Sequence, residues 1–257
     1  MVNSKPFPAL LIVGMHRSGT SCLTGMLHQY GLFLGEVSRK STFNAKGNQE
    51  SHEVREINDQ LLQAHGSSWF QPSAVETVPP LLALRIRRFR ILMQRENQPW
   101  GFKDPRLLFC LDAWRQPSDQ LIGTFRHPEA AAQSLHLRNN ARRKKVPLAL
   151  SDWRQLWYLY NRRLLTLYRD APFPIVNFDW EPHRYRRAVQ HMAGELSLPC
   201  NETAGDFFDP SLSHHRESQC SEIDNPDYKS LYRELEVIAR AEEKRMESIY
   251  ENNRSGL

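Results

Sequence analysis

The sequence has little cysteine, and what it has is scattered: Cys22, Cys110, Cys200 and Cys220 form no CxxC pair. That spacing gives no basis for a zinc-ribbon or dithiol motif, and no metal is expected. Cys22 and Cys110 sit inside apolar segments, where a reduced thiol acts as a small hydrophobe. No apolar run approaches the length of a bilayer span, and Met1 to Pro8 lacks the charged start, apolar stretch and cleavage site of a secretory signal. The chain is therefore expected in the cytoplasm with no membrane span, and in that reducing compartment a Cys200–Cys220 disulfide is disfavoured. Internal repeats and low-complexity linkers are lacking too, which favours one domain over residues 1–257.

Charge of either sign is also in short excess. Thirty-four Lys and Arg against 29 Asp and Glu leave +5, enough to attract phosphate- or sulfate-bearing ligands and too little to point to a nucleic-acid partner. The dense basic runs, Arg85, Arg87, Arg88, Arg90 and Arg142, Arg143, Lys144, Lys145, read as solvated faces. At 40% hydrophobic and 25% charged residues, the composition allows an ordinary globular enzyme.

Ala9-Leu10-Leu11-Ile12-Val13 is a short continuous apolar run ending in Gly14, the pattern of a strand buried on both faces of a parallel sheet. Ser18 to Tyr30 then carries apolar residues at helical spacing, with Gly31 as a stop. Helical intervals recur from Glu50 to Leu62, and Pro79-Pro80 opens a helix through about Arg95. Trp100 to Lys103 and Gln120 to Phe125 read as strands, followed by helices over Arg106 to Arg115 and Pro128 to about Asn139. Ser151-Asp152 is expected to cap a helix to about Arg169, before a strand over Phe173 to Phe178 and a helix over Arg184 to Leu196. A last helix, 225–253, begins with Asn225 as cap and Pro226 at its first position, and either packs on the domain or mediates a homodimer. Strands alternating with helices predict an α/β fold with a mainly parallel central sheet and helices on both faces.

Gly14-Met15-His16-Arg17-Ser18-Gly19-Thr20-Ser21 follows the first strand and opens a helix, the context in which a Gly-bearing loop wraps a phosphate with backbone N–H groups. Against the triphosphatase pattern GxxxxGK[ST], Gly14, Gly19 and Ser21 match, but Thr20 stands where the lysine belongs. The cation has instead moved to Arg17, where it would face a 5′-phosphate carrying a transferable group and stabilise charge on the bridging oxygen. A magnesium-dependent nucleotide or small-molecule kinase is thereby disfavoured.

Leu11 to Ser21 resembles the 5′-phosphosulfate loop of sulfotransferases that use 3′-phosphoadenosine-5′-phosphosulfate (PAPS), especially the bacterial branch related to tyrosylprotein sulfotransferases. Phe125-Arg126-His127-Pro128 through Ser134 resembles that family's 3′-phosphate motif, an arginine at a strand end and a serine eight residues on. The resemblance implies a three-layer P-loop-type fold, PAPS as donor, PAP as product and a hydroxyl-bearing acceptor, with a carbohydrate preferred by analogy. It implies nucleotide binding by His16, Arg17, Ser18, Gly19, Thr20, Ser21, Arg126, Ser134 and, from the late loop Phe208 to Arg216, Arg216; His214 and His215 in that loop are weaker candidates. Physically, an arginine fork suits a phosphate dianion and a serine hydroxyl adds one hydrogen bond.

Sulfuryl transfer also needs a base for the acceptor proton and cations around the transferred group. By resemblance, Glu50 in Gly47-Asn48-Gln49-Glu50 is the base, although Gln49 replaces the family's usual aromatic; His52 and Glu53 are alternatives. Gly101-Phe102-Lys103-Asp104-Pro105-Arg106 is similar to a Lys-Asp-Pro-Arg segment of the same group, which makes Lys103 a catalytic candidate with Arg17 and Glu50. Arg106 would assist Lys103 or orient the acceptor, while Asp104 and Pro105 shape the next helix. A non-catalytic nucleotide-binding scaffold is the reading from a third class.

Overall fold

The computed structural model describes residues 7–39, 44–142, 145–198, 207–209 and 222–255. Four parallel strands form the sheet: β1 (Ala9–Val13), β2 (Trp100–Lys103), β3 (Gln120–Phe125) and β4 (Ile175–Asn177), in the order β2-β1-β3-β4. Every residue of β1 is buried, which is why the run Ala9 to Val13 needs no polar alternation. The helices α1 (Thr20–Gln29), α2 (His52–Ala64), α3 (Pro80–Gln94), α4 (Leu107–Trp114), α5 (Pro128–Asn140), α6 (Leu150–Asp170) and α7 (Pro182–Glu195) flank the sheet. A long α8 (Pro226–Ser255) closes the chain. The expected α/β class, the parallel sheet and the order of elements are all present.

From β1 the chain returns to the sheet on one side as β2, then crosses over to the other side as β3. Connections therefore diverge between β1 and β3, and a crevice opens at the carboxyl ends of these strands. Gly14 follows β1 and Arg126 follows β3, so both motifs meet at that crevice. The approach is close: a Cβ on Gly14, whose φ is +152°, would lie 2.4 Å from the Thr124 carbonyl oxygen.

Several local details differ from expectation for identifiable reasons. Helix α6 starts at Leu150, and the cap is Asp152 reaching back to accept from the Ala149 N–H at 2.7 Å rather than Ser151-Asp152 acting from the first position. Strand β4 is shorter than Phe173 to Phe178: Ile175–Asn177 pairs in register with Gly123 to Phe125, and Pro174 and Phe178 add only one flanking backbone hydrogen bond each to β3. Glu50 is not a first-turn helix residue; Ser51 is the N-cap of α2 and Glu50 precedes it. Helix α8 does begin as read, with Asn225 Oδ1 accepting from the Asp227 and Tyr228 N–H groups.

Arg90 departs furthest from its reading as part of a solvated face. It is buried at 4% exposure and forks onto both oxygens of Asp119 at 2.8 Å, with further bonds to the Trp114 carbonyl and Gln116. Asp119 also accepts from the Ala9 N–H, so this pair ties α3 to the start of β1 and the approach to β3. Around it Phe89, Phe102 and Trp114 form an aromatic cluster with ring centroids 4.9–5.7 Å apart.

Helix α8 packs against β4, α6 and α7. Its Leu235, Ala239 and Met246 are fully buried, and Arg184 on α7 forks onto Glu243. Among the described residues no helix is long and apolar enough to cross a membrane.

Candidate active site

A cavity of about 590 Å³ opens at the crevice. Its wall includes His16, Arg17, Gly19, Thr20, Ser21, Glu50, Lys103, Arg126 and Ser134, so the structure brings together nearly every residue singled out from the sequence. Ser18 is fully buried beneath the loop. Arg216, His214 and His215 lie outside the described residues, as do Cys200 and Cys220.

The loop is shaped by backbone conformations that few residues adopt. Arg17 has φ 66° and Gly19 φ 82°, both left-handed, and a Cβ on Gly19 would overlap Phe178 at 2.2 Å. These turns present the start of α1 to the cavity, where its first N–H groups and dipole favour an anion. Thr124 Oγ1 donates to the Ser18 carbonyl at 3.0 Å and fastens the loop to β3. The Ser18 hydroxyl and His16 Nε2 are both buried, and neither has a hydrogen-bond partner among the described residues.

Arg17 and Ser134 are linked directly: Arg17 Nε donates to Ser134 Oγ at 2.8 Å. Arg126 is aimed by Asp179, which accepts from Arg126 Nε at 3.0 Å and from the His127 N–H at 2.7 Å. The ring of Phe178 lies under the Arg126 guanidinium, 5.4 Å from its carbon. Burial and then the charge of Arg126 lower the pKa of Arg17. Two guanidiniums and a hydroxyl thus converge where their mutual repulsion favours an anion between them.

Across the cavity, Lys103 at the end of β2 donates to Glu50 Oε1 at 2.7 Å and to Ser21 Oγ at 3.3 Å. Ser21 in turn donates to the Asn48 carbonyl. A lysine side chain therefore does reach the phosphate-type loop, from the neighbouring strand instead of from position 20. Burial opposes ionisation of Glu50, but Lys103, Arg106 and Arg55 outweigh it and hold the carboxyl below its ordinary range. Gln49, with φ 54°, helps turn the chain so that Glu50 enters the cavity.

The alternatives to Glu50 point elsewhere. His52 is 78% exposed at its side chain and lies beside Glu56, while Glu53 pairs with Arg85. Arg106 is no solvated strand-end charge: it is buried, with Nη1 shared between both Asp104 oxygens at 3.1 Å and Nε on Asp59 at 2.6 Å. Asp104 also accepts from the Arg106 N–H, the turn-shaping role expected of it.

Sequence reading missed Trp69, Tyr160 and Arg138. Trp69 and Tyr160 enclose the His16 ring edge-on at 4.9 and 5.8 Å, and Arg138 lies over the Trp69 ring and lines the cavity. Trp69 falls in a stretch with no legible motif. Arg138 stands one helical turn after Ser134, a spacing that puts both on one face and could have revealed it. Cys22 also lines the cavity, its thiol pushed up to about 12 by burial.

No protein-family model matches the chain, and no curated protein sequence is recognisably similar to it. Solved structures are. A sulfotransferase domain from the curacin biosynthetic pathway superposes with TM-score 0.58 at 14% identity, covering 90% of this chain and 99% of that one. The chain has the sulfotransferase fold. The sulfotransferase domain of the Synechococcus PCC 7002 olefin synthase agrees, with TM-score 0.53 at 16% identity over 93% of this chain and 97% of its own. In this P-loop-type fold the Gly14 loop and Arg126 lie together at the carboxyl ends of the two central strands. Among the described residues no three His, Cys, Asp or Glu side chains converge to hold a metal ion.

Proposed function

We propose that the protein is a PAPS-dependent sulfotransferase acting on an acceptor hydroxyl. The observation that carries this reading is the convergence of Arg17, Arg126 and Ser134 beside the start of α1, in a cavity that also holds the Lys103–Glu50 pair. The residues fit such a donor: the loop is too tight at Gly14 and Gly19 for any side chain, and the buried Ser18 hydroxyl has no partner within the described protein. Bound PAPS would supply an activated sulfuryl group, whose bond to the bridging oxygen breaks as the acceptor oxygen attacks.

Each residue then has a distinct task. Arg126 and Ser134 hold the 3′-phosphate, with Asp179 keeping the guanidinium in register. Backbone N–H groups and hydroxyls of Ser18, Gly19, Thr20 and Ser21 hold the 5′-phosphate, with His16 beside them in the wall of the same cavity. Arg17 and Lys103 stabilise charge that grows on the bridging and transferred oxygens. Glu50, ionised at neutral pH, receives the acceptor proton. Arg216 is proposed, by resemblance, to complete the nucleotide site, and a carbohydrate hydroxyl is the preferred acceptor on the same ground.

A kinase would need its lysine at Thr20 and a magnesium-bound triphosphate. Calorimetric titration with PAP, and separately with ATP and magnesium, tests the choice. Wild type is expected to prefer PAP, and Arg126→Ala to lose about 30-fold or more of that affinity through the lost charge-assisted bonds. A preference for magnesium-ATP would overturn the reading, and PAP binding without transfer to any acceptor of a broad panel would favour a scaffold.

A further inference from the structure

Helix α3 is embedded on one side and bare on the other. Leu82, Ile86, Phe89 and Met93 are buried against the core. At about 100° per residue, Leu84 and Ile91, two turns apart, project nearly opposite that buried side. Among the described residues seven large apolar side chains are exposed, and four of them belong to this helix: Leu81 at 70%, Leu84 at 63%, Ile91 at 41% and Leu92 at 47%. Scattered singly, such residues need no explanation; gathered on one helix they mark a contact surface.

The charges on the same side have one sign. Helix α3 contains no Asp or Glu. Two of its arginines are held by the protein, Arg85 by Glu53 and Glu56 of α2 and Arg90 by Asp119. Arg87 and Arg88 are exposed, as is Arg95 at the helix end, and none of the three has an ion pair among the described residues. By the same rotation Arg87 flanks the crest formed by Leu84 and Ile91 on one side, and Arg88 and Arg95 flank it on the other. An apolar crest thus carries guanidiniums on both slopes.

This arrangement selects its partner. A second copy docking face to face would set three arginines against the same three. An anionic bilayer is layered by depth, with phosphates above and acyl chains beneath. It receives an apolar crest and its flanking cations together, the long arginine side chains reaching back to the phosphates, and needs no matching groove. The net charge of +5 works in the same direction.

We propose that the exposed face of α3 seats the protein on an anionic lipid surface, with Leu84 and Ile91 entering the headgroup boundary and Arg87, Arg88 and Arg95 contacting lipid phosphates. No residue of the cavity takes part, so the inference stands or falls apart from the sulfotransferase reading.

Flotation of the full chain with vesicles tests it, using phosphatidylcholine alone and an equal mixture with phosphatidylglycerol. At about 0.1 M salt the mixed vesicles are expected to bind at least tenfold more tightly. Arg87→Gln/Arg88→Gln/Arg95→Gln should lose about tenfold or more, since each cation near such a surface is worth about fivefold. Leu84→Ser/Ile91→Ser keeps every charge and should also lose about tenfold. A control with the same charge loss, Arg187→Gln/Arg233→Gln/Lys244→Gln at exposed positions of α7 and α8, should stay within about threefold of wild type. Thermal melting checks that each variant folds, and Leu84→Trp gives a second readout, a fluorescence blue shift on mixed vesicles relative to wild type. Absence of binding to mixed vesicles would overturn the proposal and leave the face to an acidic protein partner. Equal loss in the control, or no blue shift in Leu84→Trp, would overturn it by reducing the binding to net charge. A concentration-dependent dimer in sedimentation that Leu84→Ser/Ile91→Ser dissolves would overturn it by assigning the face to a second copy.

Discussion

Glu50 combines burial with ionisation, and that combination decides what its replacement should do. The carboxyl stays charged because Lys103 sits 2.7 Å away, so it is ready to accept a proton without first losing one. Glu50→Gln keeps the shape and removes the basic oxygen; PAP affinity should stay within about twofold while turnover falls about 100-fold or more. Unchanged turnover would remove Glu50 as the base. The same residues set an acid-side stability profile. Glu50 has its folded pKa below the ordinary 4.5, so its stabilising contribution is present above that value and is lost as pH falls through the folded one. His16 acts earlier: its folded pKa lies well below 6.5, so the unfolded chain binds a proton that the folded one refuses as pH drops below that value. Stability should therefore decline from pH 6.5 downward, with His127 and His191, also lowered by burial, sharing the slope. His16→Gln should flatten part of it in melts taken between about pH 7 and 5.

Secondary-structure elements are joined here by buried polar ties as well as by apolar packing. Arg90 on α3 and Asp119 before β3 form such a tie, with Ala9 of β1 as its third member. Removing one partner strands the other charge, so Arg90→Met should cost about 3 to 5 kcal/mol in urea unfolding, whereas replacing both should cost less than the sum. The extent to which elements were legible also varies with what fixes them. The β1 run and the Pro80 and Pro226 helix starts declare themselves through local composition. Arg90 did not, because a guanidinium on an amphipathic basic helix looks solvated until a carboxylate 29 residues later folds beneath it.

At the scale of the molecule, α8 is connected to the site although none of its described side chains lines the cavity. Asn177 Nδ2 donates to Tyr232 Oη, Asn177 Oδ1 accepts from the Asp179 N–H, and Asp179 aims Arg126. With Leu235, Ala239 and Met246 fully buried, α8 should unfold with the rest. We expect one cooperative calorimetric transition for the chain, and truncation before Pro226 should abolish it; two resolved transitions would overturn the single-domain reading.

The sequence by itself determined the architecture and the positions of the two motifs proposed to bind the donor's phosphates. Both follow from local rules: an apolar strand run, a loop built on Gly14 and Gly19, and an arginine and serine spaced across a strand-to-helix turn. Only the tertiary structure decided how the motifs combine. It joined Arg17 to Ser134 across 117 residues and delivered Lys103 to Ser21 from the neighbouring strand. It also set Arg138 in the cavity wall over the Trp69 ring, with no carboxylate ion pair among the described residues. Those relations depend on strand order and on burial, which set charges against one another across the crevice, and neither is written in any short stretch of the chain.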